Sequence, residues 1–116
     1  MERINLLKEY GIVNETGYKD LIAIKEVFEE GFHIVLTEEN AGVMITHIAA
    51  AFKRLETKEE INPIDQTVLE ELKEESYYAK AAEILKAMKE AVSSPLSGDE
   101  DAFILVHICT LLSQLN

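Results

Sequence analysis

A chain of 116 residues with 22 acidic against 11 basic side chains carries a net charge of −11. That field repels a phosphate backbone, and the densest basic stretches, Lys53-Arg54 and Lys86 to Lys89, are interleaved with Glu, so direct nucleic-acid binding is disfavoured. The length suits one domain with its own core, and 47% hydrophobic residues exclude wholesale disorder.

No run approaches the roughly 18 to 20 apolar residues needed to cross a bilayer, so no membrane association is expected. The start, Met1-Glu2-Arg3-Ile4-Asn5, lacks the basic and apolar blocks of a secretory leader. The single Cys109 has no partner for an internal disulfide and sits in an apolar setting. These features predict a cytoplasmic protein. Its acidity suits a basic protein partner, and equally serves as a solubility device.

In chain order, residues 2 to 10 predict a short helix ended by Gly11. Thr16 offers an N-cap for a helix through about Glu30, with Leu21, Ile22, Ile24, Val27 and Phe28 on its apolar face and Gly31 as its stop. Phe32-His33-Ile34-Val35-Leu36 is too short to distinguish an extended segment from a packed loop. Thr37 is the next N-cap, followed by Glu38 and Glu39 at the positive end of the dipole, and the pattern runs to about Leu55. Met44, His47, Ile48, Ala51, Phe52 and Leu55 share one face of that helix. Asn62-Pro63 reads as N-cap and N1 of a helix toward Glu75, with Ile64, Val68, Leu69 and Leu72 inward. A break near Ser76 precedes a helix of about Tyr77 to Val92, striped by Ala81, Ile84, Leu85 and Met88. Ser93, Ser94, Pro95 and Gly98 form the last connection. Ser97-Gly98-Asp99-Glu100 has the spacing of a capping box and launches a final helix to about Gln114. Phe103, Ile104, His107, Ile108, Leu111 and Leu112 line its apolar side. The expected fold is all-α, a compact bundle of five main helices plus a short N-terminal helix.

The chain has three histidines. His33 lies in the ambiguous segment with no ligand pattern around it. His47 and His107 each sit within the apolar stripe of a strongly periodic helix. Such a residue can be a hydrogen-bonded core histidine. At the rim of a core it can also serve chemistry, because imidazole near pH 7 is nucleophilic when neutral. There is no His-Glu-x-x-His, no paired Cys and no Glu-x-x-His, so neither a metal nor another cofactor is expected. Cys109 is two residues from His107 and cannot face it on a helix. No glycine-rich phosphate loop or nucleophile motif appears, and an enzyme is not expected. Arg54 follows His47 by two helical turns on roughly the same face. It can pair with a phosphorylated imidazole, or form an ordinary salt bridge with Glu56, Glu59 or another carboxylate. Tyr77, Tyr78 and Phe103 read as packing residues.

Two stretches carry a family resemblance. Met44 to Arg54 resembles the PTS regulation domain segment in which a His follows Leu-Thr-Asp, then an apolar helix face, then Arg seven after the His. Ser97 to Ile108 resembles that family's second signature, Asp-Glu, an aromatic-aliphatic pair and a His. Between them, Leu69 to Leu85 is similar to the family's middle, where two helices meet near a Tyr-containing break, here Tyr77-Tyr78. The resemblance divides the chain into an N-terminal extension with a short helix at 1–16 and the domain proper at 17–116. It implies a five-helix regulatory domain that commonly pairs as a homodimer. His47 and His107 would be phosphorylated by the phosphocarrier HPr or a sugar-specific enzyme IIB component to signal carbohydrate supply, with Arg54 as the phosphate-pairing candidate. The domain is expected to stand alone, so its output would pass through an unidentified downstream regulator. Thr46 stands where the family often has Asp before the first His; Thr can only hydrogen-bond, where a carboxylate would orient the imidazole and raise its basicity. The alternative is a helical dimerisation or accessory module whose histidines are structural.

Overall fold

Four of the α-helices of this chain begin where a side-chain oxygen, from Asn14, Thr37, Asp65 or Ser97, accepts from a free backbone N–H. In the computed structural model, which describes residues 1–115, six α-helices follow one another: α1 (Glu2–Glu9), α2 (Glu15–Glu26), α3 (Glu38–Thr57), α4 (Gln66–Lys73), α5 (Tyr78–Ala91) and α6 (Gly98–Gln114). No strand occurs among the described residues. The Thr37 cap of α3 is reciprocal: Thr37 Oγ1 accepts from Asn40 N while Asn40 Oδ1 accepts from Thr37 N.

Two predicted starts move. Asn14, rather than Thr16, caps α2, its Oδ1 accepting from Gly17 N at 2.8 Å, and its amide also donates to Glu56 on α3. The helix predicted from Asn62-Pro63 begins later, at Gln66, because Asp65 takes the cap by accepting from Thr67 N. Lys58, with φ of 60°, ends α3 in the left-handed region, and residues 59–65 form an irregular connection. Val68 faces solvent instead of the core, 44% exposed. With only two turns, α4 contributes Leu72 to the core and half-buries Leu69.

Past Glu26, α2 does not stop but widens into a π-helical turn, Val27–Gly31. Its Phe28 is fully buried. The carbonyl of Phe28 then accepts from both Phe32 N and Ile34 N, turning the following segment into a packed loop. Ile34 and Leu36 dip into the core from it.

In the bundle α6 packs on α5 and α3, while α2 packs on α1, α3 and α5. The core between them gathers Leu21, Ile24, Phe28, Ile45, Ile48, Ile84, Met88, Ile104, Ile108 and Leu111, each less than about 2% exposed. The α1 helix inserts Ile4 into the same core, 1% exposed. The radius of gyration, 13.6 Å, matches the roughly 13 Å expected of a single domain near this length.

One buried carboxylate ties the last connection to α2. Asp20, 4% exposed, accepts from the backbone N–H and the hydroxyl of both Ser93 and Ser94, at 2.7 to 3.2 Å. These contacts satisfy a charge that burial would otherwise make costly, and they fix the chain three residues before the Ser97 cap of α6. Asp20→Ala strands two backbone donors and removes four donors' common acceptor, and is expected to lower stability by about 2 to 3 kcal/mol, measured by urea unfolding against wild type.

Candidate functional site

The two histidines predicted on separate helices meet. His47 on α3 and His107 on α6 lie with ring centroids 5.3 Å apart, their planes inclined at 47°. Phe103, one turn before His107, also lies against His47, with ring centroids 5.7 Å apart. The packing reading of Phe103 therefore needs extending: it forms a wall of the histidine site. The α3 helix brings His47 here because Met44, Ile45, Ile48, Ala51 and Phe52 bury the stripe beside it. The α6 helix does the same for His107 through Ile104, Ile108 and Leu111. His33 takes no part, and sits in the loop with φ of 58°.

Arg54 does lie on the face of His47, and its partner is a residue that sequence reasoning assigned to a different task. Its Nε and Nη2 donate to Glu100 Oε2 and Oε1 at 2.9 and 3.0 Å, a two-pronged ion pair across α3 and α6. The Glu100 side chain is only 7% exposed and that of Arg54 23%. Of the expected capping box only one half forms. Ser97 Oγ accepts from Glu100 N at 3.3 Å, while the Glu100 carboxylate turns away to Arg54. The guanidinium offers a charged, bidentate partner, which outcompetes a single uncharged N–H. Glu100 thus joins the site; its place two turns before His107 and its membership of the Asp-Glu pair of the second signature were the hints of it.

The remaining atom of interest is Nε2 of His47. It is buried, has no hydrogen-bond partner, and stands 3.7 Å from Glu100 Oε1. That separation is too long for a hydrogen bond. Burial lowers the pKa of His47 from its ordinary value; the Glu100 charge opposes this and the Arg54 charge reinforces it. Burial likewise lowers His107, helped by the nearby His47. Both shifts favour the neutral ring, and His47 Nε2 makes no hydrogen bond to Glu100. A neutral imidazole with an unengaged ring nitrogen is a nucleophile.

Thr46, the residue before His47, is engaged elsewhere. Its hydroxyl accepts from Arg3 Nη1 at 3.0 Å and donates to the Gly42 carbonyl at 2.9 Å. Arg3 also donates its backbone N–H and Nε to Glu38. Gly42 makes this possible, since a Cβ there would stand 3.0 Å from Arg3 Cζ. No set of three His, Cys, Asp or Glu side chains able to hold a metal ion occurs among the described residues. No helix among them is long and apolar enough to cross a membrane.

A family model for the PRD domain matches residues 23–110, well over half of the chain. The chain belongs to the PRD domain family, whose members are regulatory rather than catalytic domains. The uncharacterized protein YhfY of Escherichia coli (strain K12) is 25% identical over 114 residues, which cover 98% of this chain and 95% of that protein. No solved structure matches.

Two measurements probe this geometry. Because the folded rings resist protonation, the unfolded chain takes up protons first as pH falls below 6.5, the ordinary histidine value. Unfolding then binds protons, so stability contributed by these rings declines as pH drops through that window and is flat above it. The difference in unfolding free energy between wild type and His47→Gln/His107→Gln is expected to carry that slope. Arg54→Met strands the Glu100 carboxylate and should cost about 3 kcal/mol; Arg54→Met/Glu100→Leu should recover most of it in thermal melts.

Proposed function

We propose that this PRD-family protein is a regulatory phosphoacceptor, phosphorylated on His47 or His107 by HPr or an enzyme IIB component and acting through a partner protein. The observation that carries the reading is the pairing of two neutral, half-buried imidazoles, 5.3 Å apart, beside a cation on the helix face of the first. A nucleophilic nitrogen on a partly exposed ring and a nearby guanidinium suit transfer from a phosphohistidine donor, and the buried Nε2 of His47 has to be uncovered for it. The step balances without a metal. The ring's lone pair forms the new N–P bond while the donor's N–P bond breaks, and the proton displaced from the acceptor ring ends on the donor's imidazole.

The change in charge supplies the signal. A phosphoryl group brings about two negative charges and several acceptor oxygens, by analogy with hydroxyl-linked phosphates. In a homodimer with two such groups facing each other at about 10 Å, repulsion amounts to roughly 2 to 7 kcal/mol for effective dielectrics of 80 to 20. An arginine opposite each group reverses the sign. Either effect is large enough to move an association equilibrium, and sugar supply would then be read as a change in assembly. The acidic exterior favours a phosphocarrier with a basic docking face.

The rival reading, an accessory helical module with structural histidines, draws on one observation: Arg54 already has a full partner in Glu100. Incubation with phosphoenolpyruvate, enzyme I and HPr, with and without enzyme IIB components, separates the two by intact mass under neutral conditions. The expected result is an acid-labile gain of phosphate, lost in His47→Ala or His107→Ala. No gain beside a working positive control overturns the phosphoacceptor reading in favour of the accessory module.

A further inference from the structure

Four groups border the His47 ring: the buried Glu100 carboxylate, 3.7 Å from the unpartnered Nε2, the Arg54 guanidinium clamped on that carboxylate, and the partly buried rings of Phe103 and His107. A phosphoryl group bonded to Nε2 has to occupy the space in front of that nitrogen, which the carboxylate now borders. Two anions cannot share it, and the only guanidinium within the cluster serves one of them at a time. Glu100 stands where an anion belongs, with the bidentate geometry that a phosphoryl group would also use.

We infer that Glu100 is a built-in competitor for Arg54: it holds the guanidinium while His47 is unmodified, and phosphorylation at His47 Nε2 expels the carboxylate and takes Arg54 over. This inference rests on the phosphoacceptor reading and adds the positioning residue and the internal exchange that would follow modification. Because Glu100 lies in the first turn of α6, its release detaches the start of that helix from α3. At that turn the Ser97 cap keeps the helix start formed, and Lys89 Nζ on Asp101 Oδ2 at 2.5 Å still holds it to α5. The charge added at one ring is thereby converted into a change in how α6 begins.

Phosphoramidate tests the exchange without any protein donor, so failure of docking by HPr or enzyme IIB cannot be mistaken for failure here. The Nε2 lone pair attacks phosphorus, the P–N bond of the reagent breaks, and the nitrogen leaves with the displaced ring proton as ammonium. Labelling at His47 is quantified by site-resolved mass spectrometry, and the lifetime of the label by ³¹P NMR at neutral pH. Glu100→Gln removes the competing charge while keeping the side-chain shape. It is expected to raise both the labelled fraction of His47 and the lifetime of the label by about tenfold, a value between the water-screened and protein-screened limits for one contact. Arg54→Met/Glu100→Gln should label but lose the added lifetime, and Arg54→Lys/Glu100→Gln should restore part of it. A purely structural Glu100 would leave the lifetimes unchanged, and that result overturns the inference, as does absence of label on His47 in both wild type and Glu100→Gln. Wild type supplies a check independent of variant folding. On labelling, amide exchange over residues 98–103 should accelerate while that over α5 stays fixed; unchanged exchange at 98–103 equally overturns the exchange of partners.

Discussion

The ion pair between Arg54 and Glu100 is the constraint around which the histidine site is arranged. It spans α3 and α6 with both carboxylate oxygens engaged, at a place where the glutamate is nearly sealed from water. A charge in that position is tolerable only with a partner of matched geometry, and its partner is tolerable only with it. Apolar packing alone would let α3 and α6 slide or roll against each other at small cost, because Ile, Leu and Ala contacts are weakly directional. The bidentate pair removes that freedom. It fixes the register at which His47 meets Phe103 and His107.

Much of this was legible in the sequence, and the reasons are local. His47 and His107 announce themselves because a polar residue interrupts an apolar stripe of helical period, and Arg54 follows because two turns return to the same face. The resemblance carried by Met44 to Arg54 and Ser97 to Ile108 agrees with the PRD family match over residues 23–110. Thr37 and Ser97 cap the helices they were expected to cap. Glu100 was missed in its larger role because its spacing from Ser97 satisfies a local rule completely, and nothing within four residues shows that a guanidinium forty-six positions away makes a better offer. Asn14 displaced Thr16 for a similar reason. Its side chain serves two masters, the α2 backbone and Glu56 of α3, and only the first is visible from composition.

The polar contacts that hold the bundle's connections were not legible at all. Asp20 and the Ser93-Ser94 pair look like an isolated acid on a helix and an ordinary serine-containing linker. Their union depends on how α2 crosses the end of α5, which periodicity does not determine. The same holds for Arg3, whose reach over Gly42 to Thr46 links the first helix to the residue preceding His47. The missing Cβ at 42 is a short-range signal for a close approach, though it does not name what approaches. The short α4 was over-read because Pro63 and an apolar period suggested a longer element, whereas Asp65 starts it late and only Leu72 is buried.

The separations along the chain of these contacts have a consequence for how the protein assembles. Arg54 and Glu100 are 46 residues apart, and Asp20 and Ser93 are 73 apart. No single helix or hairpin contains the site, so no fragment of the chain can display it. Closing loops of this length adds an entropic cost that must be met before the contacts reward it. The paired imidazoles therefore depend on long-range closure of the chain and not on its local helices alone. A partly unfolded copy, however helical, presents two separate histidines, so the paired site is itself a report that α3 and α6 have docked.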